Sequence, residues 1–160
     1  MPLVLAHAAT GIVAVVATTR LAQDEERVHA RGILERALPL AAAAVAPGLE
    51  TGDPERLDAT LAALGADAGI ALILHDADGD LVSRSLRPGA GRPAAGTLEE
   101  VREALAEGRG DALRPSARSG ADALYAAVRI DDGDGRAMGV LRGRLELERL
   151  EGLPARGLAG

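Results

Sequence analysis

Two short acidic corners limit what this chain can fold into. "ILHDADGDLVSRS" (73–85) and "VRIDDGDGRAMGVL" (128–141) each set Asp-Gly between stretches in which apolar and polar residues alternate. Alternation with period two marks a strand with one buried face, and Asp-Gly between two such runs marks a hairpin. A type I′ turn is expected at Asp78-Gly79, because Asp and Gly tolerate the positive φ it needs. In the first hairpin Ile70, Leu72 and Leu74 alternate with Ala71, Ile73 and His75, and "LVSRSL" (81–86) returns. In the second, Leu124, Ala126, Val128 and Ile130 share one face of 123–130, with Tyr125, Ala127 and Arg129 on the other. Along 138–147, Leu141, Leu145 and Leu147 alternate with Val140, Arg142, Arg144 and Glu146. "LRPSARSG" (113–120) is polar and carries Pro115, which predicts an edge strand.

The rest of the chain reads as helix. Leu21, Val28, Ile33, Leu34, Leu38 and Val45 recur at helical spacing, so one long helix is expected from about residue 3 to 46, kinked at Pro39 and ended by Pro47-Gly48. Such a helix would extend about 66 Å, more than a small domain needs. "DPERLDATLAALG" (53–65) predicts a short helix, with Asp53 as N-cap, Pro54 at the first position and Gly65 as the stop. "TLEEVREALAEG" (97–108) predicts another, opened by a capping box of Thr97 and Glu100 and ended by Gly108. The order of elements makes this an α+β chain with an antiparallel sheet of five strands.

Composition narrows the function. The chain has 160 residues, a net charge of −6, no cysteine, and Tyr125 as its sole aromatic residue. That length suits one domain with a flanking element, and a core of Leu, Val, Ile and Ala implies modest stability or support from a partner chain. Mixed charges and a single aromatic offer nucleic acid neither a basic stripe nor a stacking platform. Without cysteine there is no disulfide, thiolate catalysis or Cys-type zinc site. Asp76, Asp78 and Asp80 do not form a calcium loop, because glycine falls at the fourth position and Arg87 at the twelfth. They read as turn residues. "GRPAAGT" (91–97) has the spacing of a phosphate loop but not its lysine, and Ser116 and Ser119 lack a nucleophile elbow. His7, His29 and His75 are spread too widely for a metal pattern, so no metal or cofactor is expected.

The run 3–19 has no formally charged side chain and stops at Arg20, at the lower length limit for a membrane span. Within "RPSARSGADALYAAVRI" (114–130), Ser116, Arg118, Tyr125 and Arg129 are the candidate ligand-binding residues, facing either a cleft that holds a small anion or solvent on an open sheet face.

Taken in order, Asp76 to Gly79, Arg92-Pro93, Ala104 to Gly108, Arg114 to Ser116 and Leu124 to Val128 resemble the extracytoplasmic PAS-like (Cache-type) sensor domain of bacterial sensor histidine kinases, phosphate-regulon sensor kinases in particular. The match runs over roughly residues 20–150. The resemblance implies a long amino-terminal helix packed on a five-stranded antiparallel sheet, a membrane anchor at 1–19, a connector at 151–160, and a homodimer formed through the long helix. It also implies a location at the inner membrane with the sensor outside the cytoplasm. On that reading the segment senses and does not catalyse, and its parent is a histidine kinase. A chemoreceptor or cyclic-dinucleotide enzyme with the same sensor, and a small soluble enzyme, are the alternatives.

Overall fold

A computed structural model of the chain describes residues 3–85 and 98–147, with backbone alone for 3–22. Its elements in order are α1 (Leu3–Thr51), α2 (Pro54–Ala68), β1 (Ala71–Asp76), β2 (Leu81–Arg84), α3 (Glu99–Glu107), β3 (Arg109–Pro115), β4 (Asp122–Asp131) and β5 (Ala137–Glu146). The strands form one antiparallel sheet in the order β2-β1-β5-β4-β3, so α+β with five strands holds.

The faces of that sheet follow the alternation. Leu72, Leu74, Leu124, Ile130 and Leu141 point to one side, where Leu34, Leu38 and Val45 of α1 and Leu57 and Leu61 of α2 meet them. Each such leucine taken out of water contributes roughly 1.5–3 kcal/mol. On the opposite side a smaller cluster, Val101 and Ala104 of α3 with Ala127 and Val140, seats α3 across β4 and β5. Gly110 of β3 permits that seat, because a Cβ there would strike the Glu100 carbonyl oxygen and lie 2.9 Å from Glu103 Cβ.

Several boundaries differ from the expected ones, each for a local reason. α1 passes through Pro39 and Pro47 and ends at Thr51. Both prolines are exposed, as are Glu35 and Ala43 four residues before them, so the carbonyls they leave unpaired face water. The helix stops instead at Gly52, whose φ is 62°. Asp53 and Pro54 open α2 as expected, with the Asp53 carboxylate accepting from Arg56 N at 3.1 Å. Gly65 does not end it; Gly69 does, in the left-handed conformation. Gly108 caps α3 as expected, but the N-cap position is Leu98, which makes no side-chain cap bond, and Glu100 turns inward instead of back to the helix start. Thr97 lies outside the described residues, as do Arg92, Pro93 and 148–160. β3 begins at Arg109 and does form an edge.

Both acidic corners are hairpins, but not of type I′, because among the described residues only glycines have positive φ. At each, Gly79 N donates to Asp76 O and Gly135 N to Asp132 O, and the glycine takes the left-handed conformation. Asp76 Oδ1 accepts from Asp78 N and Asp80 N, and Asp132 Oδ1 accepts from Asp134 N and Arg136 N. The working signal is therefore Asp-x-Asp-Gly, with the first Asp holding the turn and Gly closing it.

The part of α1 from Gln23 to Thr51 is long and apolar enough by composition to cross a membrane, yet Leu34, Leu38 and Val45 bury its apolar side against the sheet. The backbone of 3–19 continues the same helix; its side chains lie outside the described residues.

Candidate ligand-binding face

The sheet face that α1 does not cover carries a row of basic and polar side chains. Register places Arg142 of β5 opposite Ala127 of β4 and Ile73 of β1, with Tyr125 opposite Ala112 and Arg144. Strand alternation thus gives Tyr125, Arg129, Arg114, Arg142, Arg144 and His75 the same side as α3.

Glu100, fully buried in the first turn of α3, is the hub. Its Oε1 accepts from Arg142 Nε at 2.6 Å and from Arg114 Nη2 at 2.6 Å, and its Oε2 accepts from Arg114 Nη1 at 2.8 Å. Arg114 therefore binds in a fork and Arg142 by one bond. The guanidinium carbons of Arg114 and Arg142 lie 4.0 and 4.6 Å from the Tyr125 ring centroid, within cation–π range. Burial pushes the Glu100 carboxyl up, but the Arg114 hydrogen bonds and the Arg142 charge outweigh it and hold the group below its ordinary value. Burial lowers Arg142 and the Glu100 bonds raise Arg114; both guanidiniums stay charged at any physiological pH.

His75 occupies β1 on this face, opposite Val140. Its ring is buried, with Nδ1 3.0 Å from Gly79 O. A carbonyl only accepts, so Nδ1 carries the proton and Nε2 presents a lone pair. That Nε2 is buried and has no hydrogen-bond partner among the described residues. Desolvation lowers the His75 pKa and keeps the ring neutral near pH 7.

The four residues singled out from sequence do not converge. Tyr125 stands in the cluster, 5% exposed. Arg129 turns to the end of α3, bonding Asp131 at 2.7 and 3.2 Å and the Leu105 carbonyl at 3.0 Å. Ser116 is buried in the turn after β3, donating to Glu146 Oε1 at 3.0 Å and accepting from Arg118 N at 3.3 Å. The Arg118 side chain is exposed and lines an open groove at the other end of the sheet, with Ser85, Arg144 and Glu146. Glu100, Arg142 and His75 were not singled out. Glu100 was absorbed into a capping pattern, and its partner Arg142 is 42 positions away, beyond any local signal.

No protein-family model matches the chain, and no curated protein matches it in sequence. Solved structures do match. The E. coli DcuS sensor domain is 22% identical, with a TM-score of 0.55 over 74% of this chain and 91% of that one. The sensor domain of the V. cholerae histidine kinase DctB is 11% identical, with a TM-score of 0.57 over 90% of this chain and 57% of that one. The ligand-binding domain of the Pseudomonas fluorescens chemoreceptor CtaA, in complex with L-serine, is 20% identical, with a TM-score of 0.55 over 78% of this chain and 54% of that one. The chain thus spans little more than half of the latter two. The likeness to these three domains gives this chain, with its long helix laid on a five-stranded antiparallel sheet, the PAS-like, Cache-type sensor fold.

Proposed function

We propose that this chain is the extracytoplasmic signal-sensing domain of a membrane-bound two-component sensor histidine kinase, and that its signal is a small anionic ligand held on the sheet face opposite α1. The observation that carries the reading is the buried Arg114–Glu100–Arg142 cluster over Tyr125, on a fold shared with the DcuS and DctB sensor domains. Desolvating the Arg142 guanidinium costs several kcal/mol, and Arg114 stays one-third exposed, so the cluster reaches solvent on this face. In this reading residues 3–19 anchor the chain in the inner membrane, and α1 pairs with its copy in a dimer through the side away from the sheet, where Val28 and Leu40 are exposed. Ligand binding shifts the population of α1 arrangements by as much as its affinities for them differ. The segment itself carries out no catalysis, and the kinase resides elsewhere in its parent.

A chemoreceptor output is the second reading, favoured by the likeness to the CtaA ligand-binding domain. The two share the sensor and differ only in what the long helix drives.

Two measurements test the proposal. An alkaline phosphatase fused after residue 147 should be active, reporting export; activity only in a cytoplasmic reporter at the same point would overturn the location. A thermal-shift screen of the full chain against small carboxylates should find a stabilising ligand whose effect Arg142→Gln abolishes, and a ligand indifferent to Arg142 would move the site elsewhere.

A further inference from the structure

We infer that the gap between α1 and the β3–β4 edge of the sheet is a second ligand site, on the side of the sheet away from the arginine cluster, and that it takes a small primary amine with an apolar body. The site is separate from the anion reading above, which concerns the opposite face.

The gap has a local cause. Leu124, Ala126, Val128 and Ile130 of β4 all face α1, and the two ends of that row are buried, at 4% exposure each. Between them Ala126 and Val128 stay partly exposed. Their β3 partners are Asp111 and Arg109, both exposed with their polar ends in solvent, and alanine is too short to reach the helix. What remains is a cavity of about 250 Å³, floored by Leu34 and Leu38 of α1 and by Leu124, Ala126 and Val128. Pockets for drug-sized ligands run to roughly 300–1,000 Å³, so this one suits a smaller molecule.

The rim supplies the charge preference. Arg31 and Glu35 come from α1, Arg109 and Asp111 from β3, and Glu103 from α3, so two guanidiniums and three carboxylates leave one net negative charge. Arg31 Nη2 donates to Asp111 Oδ2 at 2.6 Å, and that pair is neutral. Glu35 and Glu103 then stand against Arg109. Pro39 lines the cavity too, and its missing N–H leaves the Glu35 carbonyl as a further acceptor. An ammonium group answers this rim, with one positive charge, three donors and no acceptor. An apolar body of about five carbons behind it would take the open surface of Ala126 and Val128 out of water. Because Leu34 and Leu38 also seat α1 on the sheet, the affinity of such a ligand depends on that seat, and its binding biases the helix directly.

Calorimetric titration of the full chain at neutral pH with n-pentylamine, n-pentanol and pentanoate separates charge from shape. n-Pentylamine should bind at least about tenfold more tightly than n-pentanol, and pentanoate more weakly than either. Its addition should move the amide resonances of Gly110, Asp111, Ala126 and Val128. The double variant Glu35→Gln/Glu103→Gln changes two exposed side chains and keeps an acceptor for Asp111 N, and it should bring n-pentylamine to the level of n-pentanol. Ala126→Leu should fill the cavity and remove binding of all three. n-Pentanol or pentanoate binding the unaltered chain as tightly as n-pentylamine would overturn the ligand class, and needs no variant to fold. A tenfold preference surviving in the folded double variant would overturn it as well. Resonances moving only on the α3 side of the sheet, or no heat from n-pentylamine, would overturn the site while leaving the anion reading untouched.

Discussion

Replacing Arg142 by leucine tests whether the buried cluster is a coupled unit. Arg142 is 4% exposed and places Nε 2.6 Å from Glu100 Oε1. Charge centres roughly 4 Å apart attract by about 4 kcal/mol at an effective dielectric near 20. Removing Arg142 recovers its own desolvation cost, but it leaves Glu100 buried with Arg114 as its one charged partner. Breaking a buried pair from one side costs about 3–5 kcal/mol, and the surviving Arg114 fork puts Arg142→Leu at the lower end, about 3 kcal/mol. For a chain near 150 residues that corresponds to a Tm lower by about 6–12 °C. Urea unfolding followed by circular dichroism measures it directly, with the midpoint falling at constant slope. The paired variant Glu100→Leu/Arg142→Leu removes both buried charges and frees Arg114, already one-third exposed, to turn to solvent. Its cost should fall to about 1 kcal/mol, below that of Arg142→Leu alone. A single variant costing under about 1 kcal/mol, or a double equal to the sum of the singles, would refute the coupling.

The pH dependence carries its own sign. His75 has a lowered folded pKa, so its contribution is full above its ordinary value of 6.5 and is lost as pH falls through the folded value; Glu100, also lowered, loses its contribution below its ordinary 4.5. Thermal melts should therefore decline in two stages on acidification, and His75→Phe should remove the upper one. Gly110→Ala drives a methyl group into the Glu100 carbonyl and Glu103 Cβ, so α3 must lift; a loss of about 1–3 kcal/mol or more is expected, with amide exchange quickening first in α3. Asp132→Ala strips two amides of their acceptor in the second corner and should cost about 1–2 kcal/mol by chemical denaturation, while Asp134→Ala, whose side chain makes none of these bonds, should be near neutral.

The sheet was legible because its signals are local. Alternation along 123–130 and 138–147 names the residues on each face, and Asp-x-Asp-Gly places the corners. The turn type was misjudged because the carboxylate of the first Asp outweighs the positive-φ tolerance of the second. Helix ends were less legible, since Pro39 and Pro47 break a helix only where their lost bonds cannot be replaced, and sequence does not say which side of α1 meets water. The candidate site was least legible. Tyr125 could be picked by its type and strand position, but Glu100 fits a capping box equally well, and only the seating of α3 on Gly110 brings it between Arg114 and Arg142. His75 looked ordinary until its second nitrogen proved to be buried.

Among the described residues the first in α1 to be buried is Ala30, and the helix backbone runs on amino-terminally from there to Leu3, 27 residues or about 40 Å. A stem of that length multiplies angle into distance. If it is straight, tilting its seat on the sheet by about 5° sweeps the far tip roughly 3–4 Å sideways, about the rise of two helical residues. A domain built this way needs no large rearrangement at its core to be felt at a distance. The packing of Leu34 and Leu38 on the sheet is then the fulcrum, and substitutions there should alter the angle of the helix as well as the stability of the fold.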